Sequence, residues 1–207
     1  MPSYDAVLFD LLTALLDSWT LWNAVARNPS DGQRWRAEYL RISYVTGPYR
    51  PYNDLVSDAA ASAGLPGRLA NELDARYAEI APWPDSNETL RALKSAGLKL
   101  GIVTNCSERL GRLAAQRLKI DFDTVVTAER AGFYKPDPRP YAVALHELRI
   151  PSERVLFVAG SAYDMFGTAK VGLTTYWHDR IGMTPPLGAP EPRYRERTLT
   201  PLVKITA

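Results

Sequence analysis

Short apolar runs of strand-forming residues, set between stretches of helical periodicity, do most to narrow what this chain can fold into. They are 4–10 (YDAVLFD), 98–104 (LKLGIVT), 124–127 (TVVT), 155–159 (VLFVA) and 173–177 (LTTYW). These runs are apolar through their length rather than alternating, the pattern of a strand buried on both faces. Helical patterns separate the later runs. Residues 85–96 open on Asp85 with Glu88 as a capping box and stop at Gly97; 107–118 carries apolar residues at 110, 113, 114 and 118. Asp137-Pro138 opens a helix to about Leu148, and 161–171 is helical in spacing and ends near Gly172. Alternating strands and helices predict an α/β fold: a doubly wound parallel sheet with right-handed crossovers.

Residues 18–82 break the rhythm. They carry helical patterns at 35–44, 53–63 and 68–80, a capping-box signal in Ser30 and Gln33, loops at 46–48 and 64–67, and no buried strand. This insertion after the first strand predicts a separate helical cap domain, 17–82, on a core of 1–16 and 83–207. Its aromatics, among them Trp19, Trp22, Trp35, Tyr39 and Tyr44, serve either packing or a pocket. The proline-rich tail after Ile181 reads as extended.

The composition, 46% hydrophobic and 23% charged with a net charge of +2, is that of a globular protein. No basic stripe marks a nucleic-acid partner, and Arg193, Arg195 and Arg197 read as a solvated surface segment. The apolar start is broken by Asp5, Asp10 and Asp17, so neither a signal peptide nor a membrane span is expected. Cys106 is the only cysteine, which excludes an intramolecular disulfide and fits a cytoplasmic location. It reads as a small buried residue, and His146 and His178, with no partners at ligand spacing, read as structural.

In an open parallel sheet, ligands bind beyond the carboxyl ends of the strands. Asp10, the pair Thr104 and Asn105, Lys135, and Asp164 all fall there and should meet in one crevice under the cap. Asp164, three residues after Ser161, is also placed to complete a helix N-terminus.

These segments resemble the motifs of the haloacid dehalogenase superfamily. FDLLTALLD (9–17) is similar to its first motif, IVTNCS (102–107) to the second, FYKPDPRPY (133–141) to the third and FVAGSAYDMFGTAKVG (157–172) to the fourth. The resemblance covers essentially the whole chain. It implies a Rossmann-like core with a cap and a nucleophilic carboxylate at Asp10. Within the superfamily, Leu12 stands where Mg²⁺-dependent phosphatases carry a second acid. KPDPRPY with Tyr141, Trp35-Arg36 and the strand ending at Trp177 resemble the (S)-2-haloacid dehalogenases instead.

That resemblance implies hydrolysis of a short 2-haloacid through an ester on Asp10, with Lys135, Asp164 and Ser161 in the catalytic set. Thr104, Asn105, Arg36, Leu12, Tyr141 and Trp177 would bind substrate. No metal or other cofactor is required; the partner is a small-molecule substrate, and a homodimer is what the family suggests. Arg41 is an alternative to Arg36 for the halide. The chain departs from the dehalogenase pattern after the nucleophile, with Leu12-Thr13-Ala14 in place of Tyr-Gly-Thr, so the supporting threonine is either lost at Ala14 or replaced from Thr13. Ala159 and Ser161 replace a serine and an asparagine of the fourth motif. The alternatives are a phosphatase holding Mg²⁺ on Asp10 and Asp164, and a catalytically silent protein on the same fold.

Overall fold

The computed structural model describes residues 4–207; residues 1–3, counted with the core above, lie outside the described residues. The chain begins with β1 (Ala6–Phe9), a single π-turn (Leu11–Leu15) and β2 (Leu16–Asp17). Four helices follow, α1 (Ser18–Ala26), α2 (Pro29–Thr46), α3 (Tyr52–Ser62) and α4 (Leu69–Ala75), and the chain returns through β3 (Ala81–Pro82). Then come α5 (Ser86–Ser95), β4 (Lys99–Thr104), α6 (Glu108–Ala115), β5 (Thr124–Thr127), α7 (Ala128–Ala131) and α8 (Pro138–Leu148). The last elements are β6 (Val155–Ala159), α9 (Met165–Lys170), β7 (Thr174–His178), β8 (Tyr194–Glu196) and α10 (Leu202–Thr206).

Six strands form one parallel sheet in the order β5-β4-β1-β6-β7-β8. β1 is central and fully buried, and its alternate residues feed two apolar layers: Val7 and Phe9 join one, Ala6 and Leu8 the other. From β1 the chain winds one way to β4 and β5 and the other way to β6, β7 and β8. The crevice of such a sheet lies where the winding reverses, beyond the end of β1. Asp10 follows that end directly.

Helices α1 to α4 pack on one another and hang from the antiparallel ribbon of β2 and β3, with Leu16 opposite Pro82 and Asp17 opposite Ala81. Trp22, Trp35, Tyr39, Tyr52 and Tyr77 of this layer are buried in the same apolar cluster as Leu12 and Cys106. No helix among the described residues is long and apolar enough to cross a membrane.

Local details differ from the sequence expectations. α2 starts under Asn28, whose side chain accepts Ser30 N–H at 2.9 Å, with Pro29 at the first helical position. That pairing supersedes the Ser30–Gln33 box. Asp85 makes no capping bond; its carboxylate accepts Leu199 N–H at 2.7 Å and pairs with Arg180. The helix expected over 68–80 ends at Ala75 and is followed by a 3₁₀ turn, Tyr77–Glu79. The arginine-rich tail is not wholly a solvated segment: β8 extends the sheet, and Arg195 lies over the Trp177 ring at 4.1 Å and pairs with Asp179 at 2.8 Å.

Candidate active site

Asp10 leaves β1 in extended backbone and caps the π-turn that follows, which Leu16 N–H closes on Leu11 O. Its Oδ2 accepts Thr13 N–H at 2.9 Å, Thr13 Oγ1–H at 2.6 Å and Ala14 N–H at 3.3 Å. A tight turn leaves carbonyls short of partners, and here three of them receive side-chain donors, Leu15 O beside the N–H of Trp83. Trp83 Nε1 reaches Thr13 O at 3.0 Å, His178 Nδ1 reaches Ala14 O at 2.8 Å and Ser86 Oγ reaches Leu15 O at 2.7 Å. The turn that orients the carboxylate is thereby fixed from β7 and from the segment after β3.

Lys135 joins two carboxylates. Its Nζ donates to Asp10 Oδ1 at 2.8 Å and lies 2.9 Å from Asp164 Oδ1, and its side chain and that of Asp164 are fully buried. Burial alone would push the Asp10 carboxyl up; the Lys135 ammonium and the Thr13 hydrogen bonds outweigh it and hold Asp10 below the usual carboxylate range. At Asp164 burial wins: with the Asp10 charge nearby, it raises this carboxyl in spite of Lys135 and Tyr141. For Lys135 the two carboxylates overcome desolvation, so the ammonium is held protonated. Their surroundings push the two carboxyls in opposite directions.

The remaining sequence-predicted residues fall into three groups. Asn105 and Tyr141 are at the site, but they hold other groups. Asn105 grips the Lys135 backbone at both ends, accepting its N–H at 2.7 Å and donating to its carbonyl at 3.1 Å. Tyr141 donates its hydroxyl to Asp164 Oδ1 at 2.9 Å and so positions that carboxylate. Thr104, Arg36 and Ser161 are buried with donors to spare. Among the described residues the Thr104 hydroxyl and Arg36 Nη1 have no hydrogen-bond partner, and Ser161 Oγ only accepts Tyr163 N–H, at 3.3 Å.

Arg36 lies 5.1 Å from the ring centres of Trp22 and Tyr39 and 5.7 Å from that of Trp19, and its Nε donates to Ser18 Oγ at 3.2 Å. Its rival Arg41 is exposed and paired with Glu38. An aromatic box around an incompletely bonded guanidinium suits an anion. The third group sits in the apolar layers: Leu12 joins the cluster of the cap aromatics, and Trp177 packs in the layer of Tyr141 and Phe157, its indole N–H without a partner among the described residues.

Residues 7–178 match the family described as "Haloacid dehalogenase-like hydrolase". The chain belongs to this family. Among relatives of this haloacid dehalogenase-like hydrolase is (S)-2-haloacid dehalogenase 4A of Burkholderia cepacia, 30% identical over 89% of this chain and 87% of that one. Another is (S)-2-haloacid dehalogenase 1 of Pseudomonas sp. strain CBS-3, 32% identical over 87% of each. A crystal structure of a dehalogenase superposes with a TM-score of 0.82 at 29% identity, covering 99% of this chain and 98% of the other.

Two site residues of this haloacid dehalogenase-like hydrolase, Gly160 and Tyr44, carry no catalytic signal in the sequence, and a third, Thr13, is there only the alternative to Ala14. Thr13 bonds Asp10 directly. Gly160 lies so close that a Cβ there would meet Thr13 Oγ1 at 2.2 Å. Tyr44 of α2, its ring 5.0 Å from that of Tyr163, is buried near Asp164 and Asp10; burial first, then those carboxylates, push its phenol well above the usual range. A cap tyrosine eight residues after Arg36 carries no local signal of that proximity, which only the docking of α2 creates.

Proposed function

We propose that this enzyme hydrolyses a short 2-haloalkanoic acid to the 2-hydroxy acid without a metal ion, through an ester on Asp10. The observation that carries the reading is the Lys135 ammonium set between Asp10 and Asp164 at 2.8 and 2.9 Å, with apolar Leu12 where a phosphatase would offer an acid. An ammonium in that position offsets carboxylate charge that would otherwise hold a metal, and the Leu12 side chain has no acid with which to protonate the leaving oxygen of a phosphate ester. Among the described residues no cluster of three or more His, Cys, Asp and Glu side chains is arranged to hold a metal.

In the first step the desolvated Asp10 carboxylate attacks C2 in line, and halide leaves with the bonding pair. Arg36 receives the halide in its aromatic box, and the Thr104 hydroxyl receives the substrate carboxylate. In the second step Asp164, its proton affinity raised, takes a proton from water as that water attacks the Asp10 ester carbon. Ser161, with its hydroxyl proton free, orients the water. Tyr141 and Asn105 hold Asp164 and Lys135 in place. Residues 17–82 act as the cap that shuts the site from solvent. The enzyme works in the cytoplasm on a small molecule, and a homodimer accords with the family.

Halide release from 2-chloropropionate and haloacetates should persist in EDTA. Asp10→Asn should lower it by about 10³-fold or more, as expected for loss of a nucleophile. In a single turnover in H₂¹⁸O with enzyme in excess, the label should enter the peptide carrying Asp10 and not the hydroxy acid. EDTA-sensitive phosphate release from an aryl phosphate, with no halide release, would sink the proposal.

A further inference from the structure

The two oxygens of Asp10 are not equivalent. Oδ1 accepts one hydrogen bond, from Lys135 Nζ at 2.8 Å. Oδ2 accepts three, from Thr13 Oγ1 at 2.6 Å, Thr13 N at 2.9 Å and Ala14 N at 3.3 Å. A carboxylate oxygen with three donors has its lone pairs engaged, whereas one with a single donor keeps a pair free for attack. We infer that Oδ1 is the attacking oxygen, that Oδ2 is the oxygen on which charge collects during ester hydrolysis, and that the Thr13 hydroxyl, admitted by Gly160, is the catalytic side-chain donor to it. This rests on the reading of Asp10 as nucleophile.

The electron movements fit the donors already in place. Oδ1 forms the bond to C2 as the carbon–halogen bond breaks, leaving an ester whose carbonyl oxygen is Oδ2. Water then adds to Cγ, giving one proton to Asp164, and the carbonyl π pair moves onto Oδ2. Donors prearranged around the oxygen that gains charge stabilise the transition state more than the ground state. When the pair returns, the Cγ–Oδ1 bond breaks and Oδ1 departs as the product hydroxyl, taking its proton from Lys135, whose Nζ already lies on it. The new carboxylic acid on Asp10 keeps the second water proton and passes it back to Lys135, and Asp164 releases its proton to solvent.

Gly160 makes the arrangement possible. A Cβ at this position would fall 2.2 Å from Thr13 Oγ1, 2.2 Å from Ala14 N and 2.3 Å from Thr13 C. Any side chain at 160 therefore expels the hydroxyl or displaces the turn that carries all three donors. The hydroxyl that the dehalogenase pattern supplies from the position of Ala14 comes here from one residue earlier, and Gly160 is the space it requires.

The test is a rapid-quench experiment with 2-chloropropionate, following halide release and the intact mass of the protein together. Thr13→Val keeps the branched shape and the backbone N–H but removes the hydroxyl. It should release about one halide per enzyme in a burst and then turn over about 10²- to 10³-fold more slowly than wild type, with the Asp10 ester accumulating. Thr13→Ser should restore turnover, and Gly160→Ala should trap the same ester.

Steady turnover of Thr13→Val within about tenfold of wild type would overturn the inference. So would slow halide release with no ester, because the hydroxyl would then serve only to shape the nucleophile. If Thr13→Val folds poorly, Thr13→Ala carries the same expectation and the same refutation. Absence of halide release by the wild-type protein would instead overturn the dehalogenase reading itself.

Discussion

At the scale of single residues, the site is a contest between burial and charge, and the outcome differs for its two carboxylates. Asp10 ends below the usual carboxylate range because Lys135 and Thr13 outweigh burial, and Asp164 ends above it because burial outweighs Lys135. A base must be deprotonated to act, so turnover should fall on acidification through the raised Asp164 value while Asp10 is still ionised. The hydroxyl of Tyr141, 2.9 Å from Asp164 Oδ1, favours the charged form. Tyr141→Phe removes that donor, raises Asp164 further and should move the acid limb of the kcat profile to higher pH. An unmoved or lowered acid limb would show that another group is the base. Asp10, Lys135 and Asp164 were legible in the sequence because each follows a buried strand at the crevice end of the sheet. The Thr13 contact was less so, since which of two neighbouring residues faces Asp10 depends on the hand and pitch of one π-turn.

At the scale of elements, α2 is joined to the catalytic loops by few but well-placed bonds. Tyr39 donates its hydroxyl to Asn105 O at 2.6 Å, and Asn105 in turn clamps the Lys135 backbone. The loop after α2 pairs with the segment before Lys135, with Tyr49 N–H on Gly132 O and Tyr134 N–H on Gly47 O, both at 2.8 Å. Tyr39→Phe keeps the ring among Trp22 and Tyr52 and leaves one buried carbonyl without its donor, at a cost of about 1–3 kcal/mol. Because the lost bond ties cap to core, KM for the haloacid should rise more than kcat falls; equal effects on both, or none on stability, would mean that Tyr39 is not part of the latch. The five long strands and the cap helices could be read from apolar runs and helical spacing. The ribbon of β2 and β3 and the strand β8 could not, because two or three residues carry too little periodicity and exist only where a neighbouring strand supplies partners.

At the scale of the whole molecule, the sheet brings a strand two places from β1 to bear on the nucleophile. β7, reached after the chain has passed both ways from β1, delivers His178 to Ala14 O at 2.8 Å, inside the turn that orients Asp10. To donate to a carbonyl, Nδ1 must carry the proton, which leaves Nε2 of the neutral ring without one; among the described residues the buried Nε2 has no partner at hydrogen-bond distance. Burial first, and then the nearby Arg180 guanidinium, lower the imidazole from its ordinary 6.5, against opposing contributions from Ala14, Asp85 and the Arg197 backbone. The unfolded chain therefore takes up a proton at His178 before the folded one does. Stability from this residue is complete above about pH 6.5 and is lost as pH falls through the lowered folded value. Asp10, itself lowered, contributes a loss only below its ordinary 3.8, and the raised Asp164 acts in the opposite sense, so the near-neutral part of the acid decline belongs to His178. His178→Asn keeps an N–H donor for Ala14 O but cannot ionise. Denaturant unfolding of the two proteins from pH 7.5 to 5 should show the wild type losing stability with acidification and the variant nearly flat, even though the variant starts about 1 kcal/mol lower. Parallel lines would refute this assignment. Convergence of the two toward low pH, accompanied by a loss of turnover in the variant at every pH, would show that one residue of β7 both stabilises the sheet and holds the turn on which the nucleophile depends.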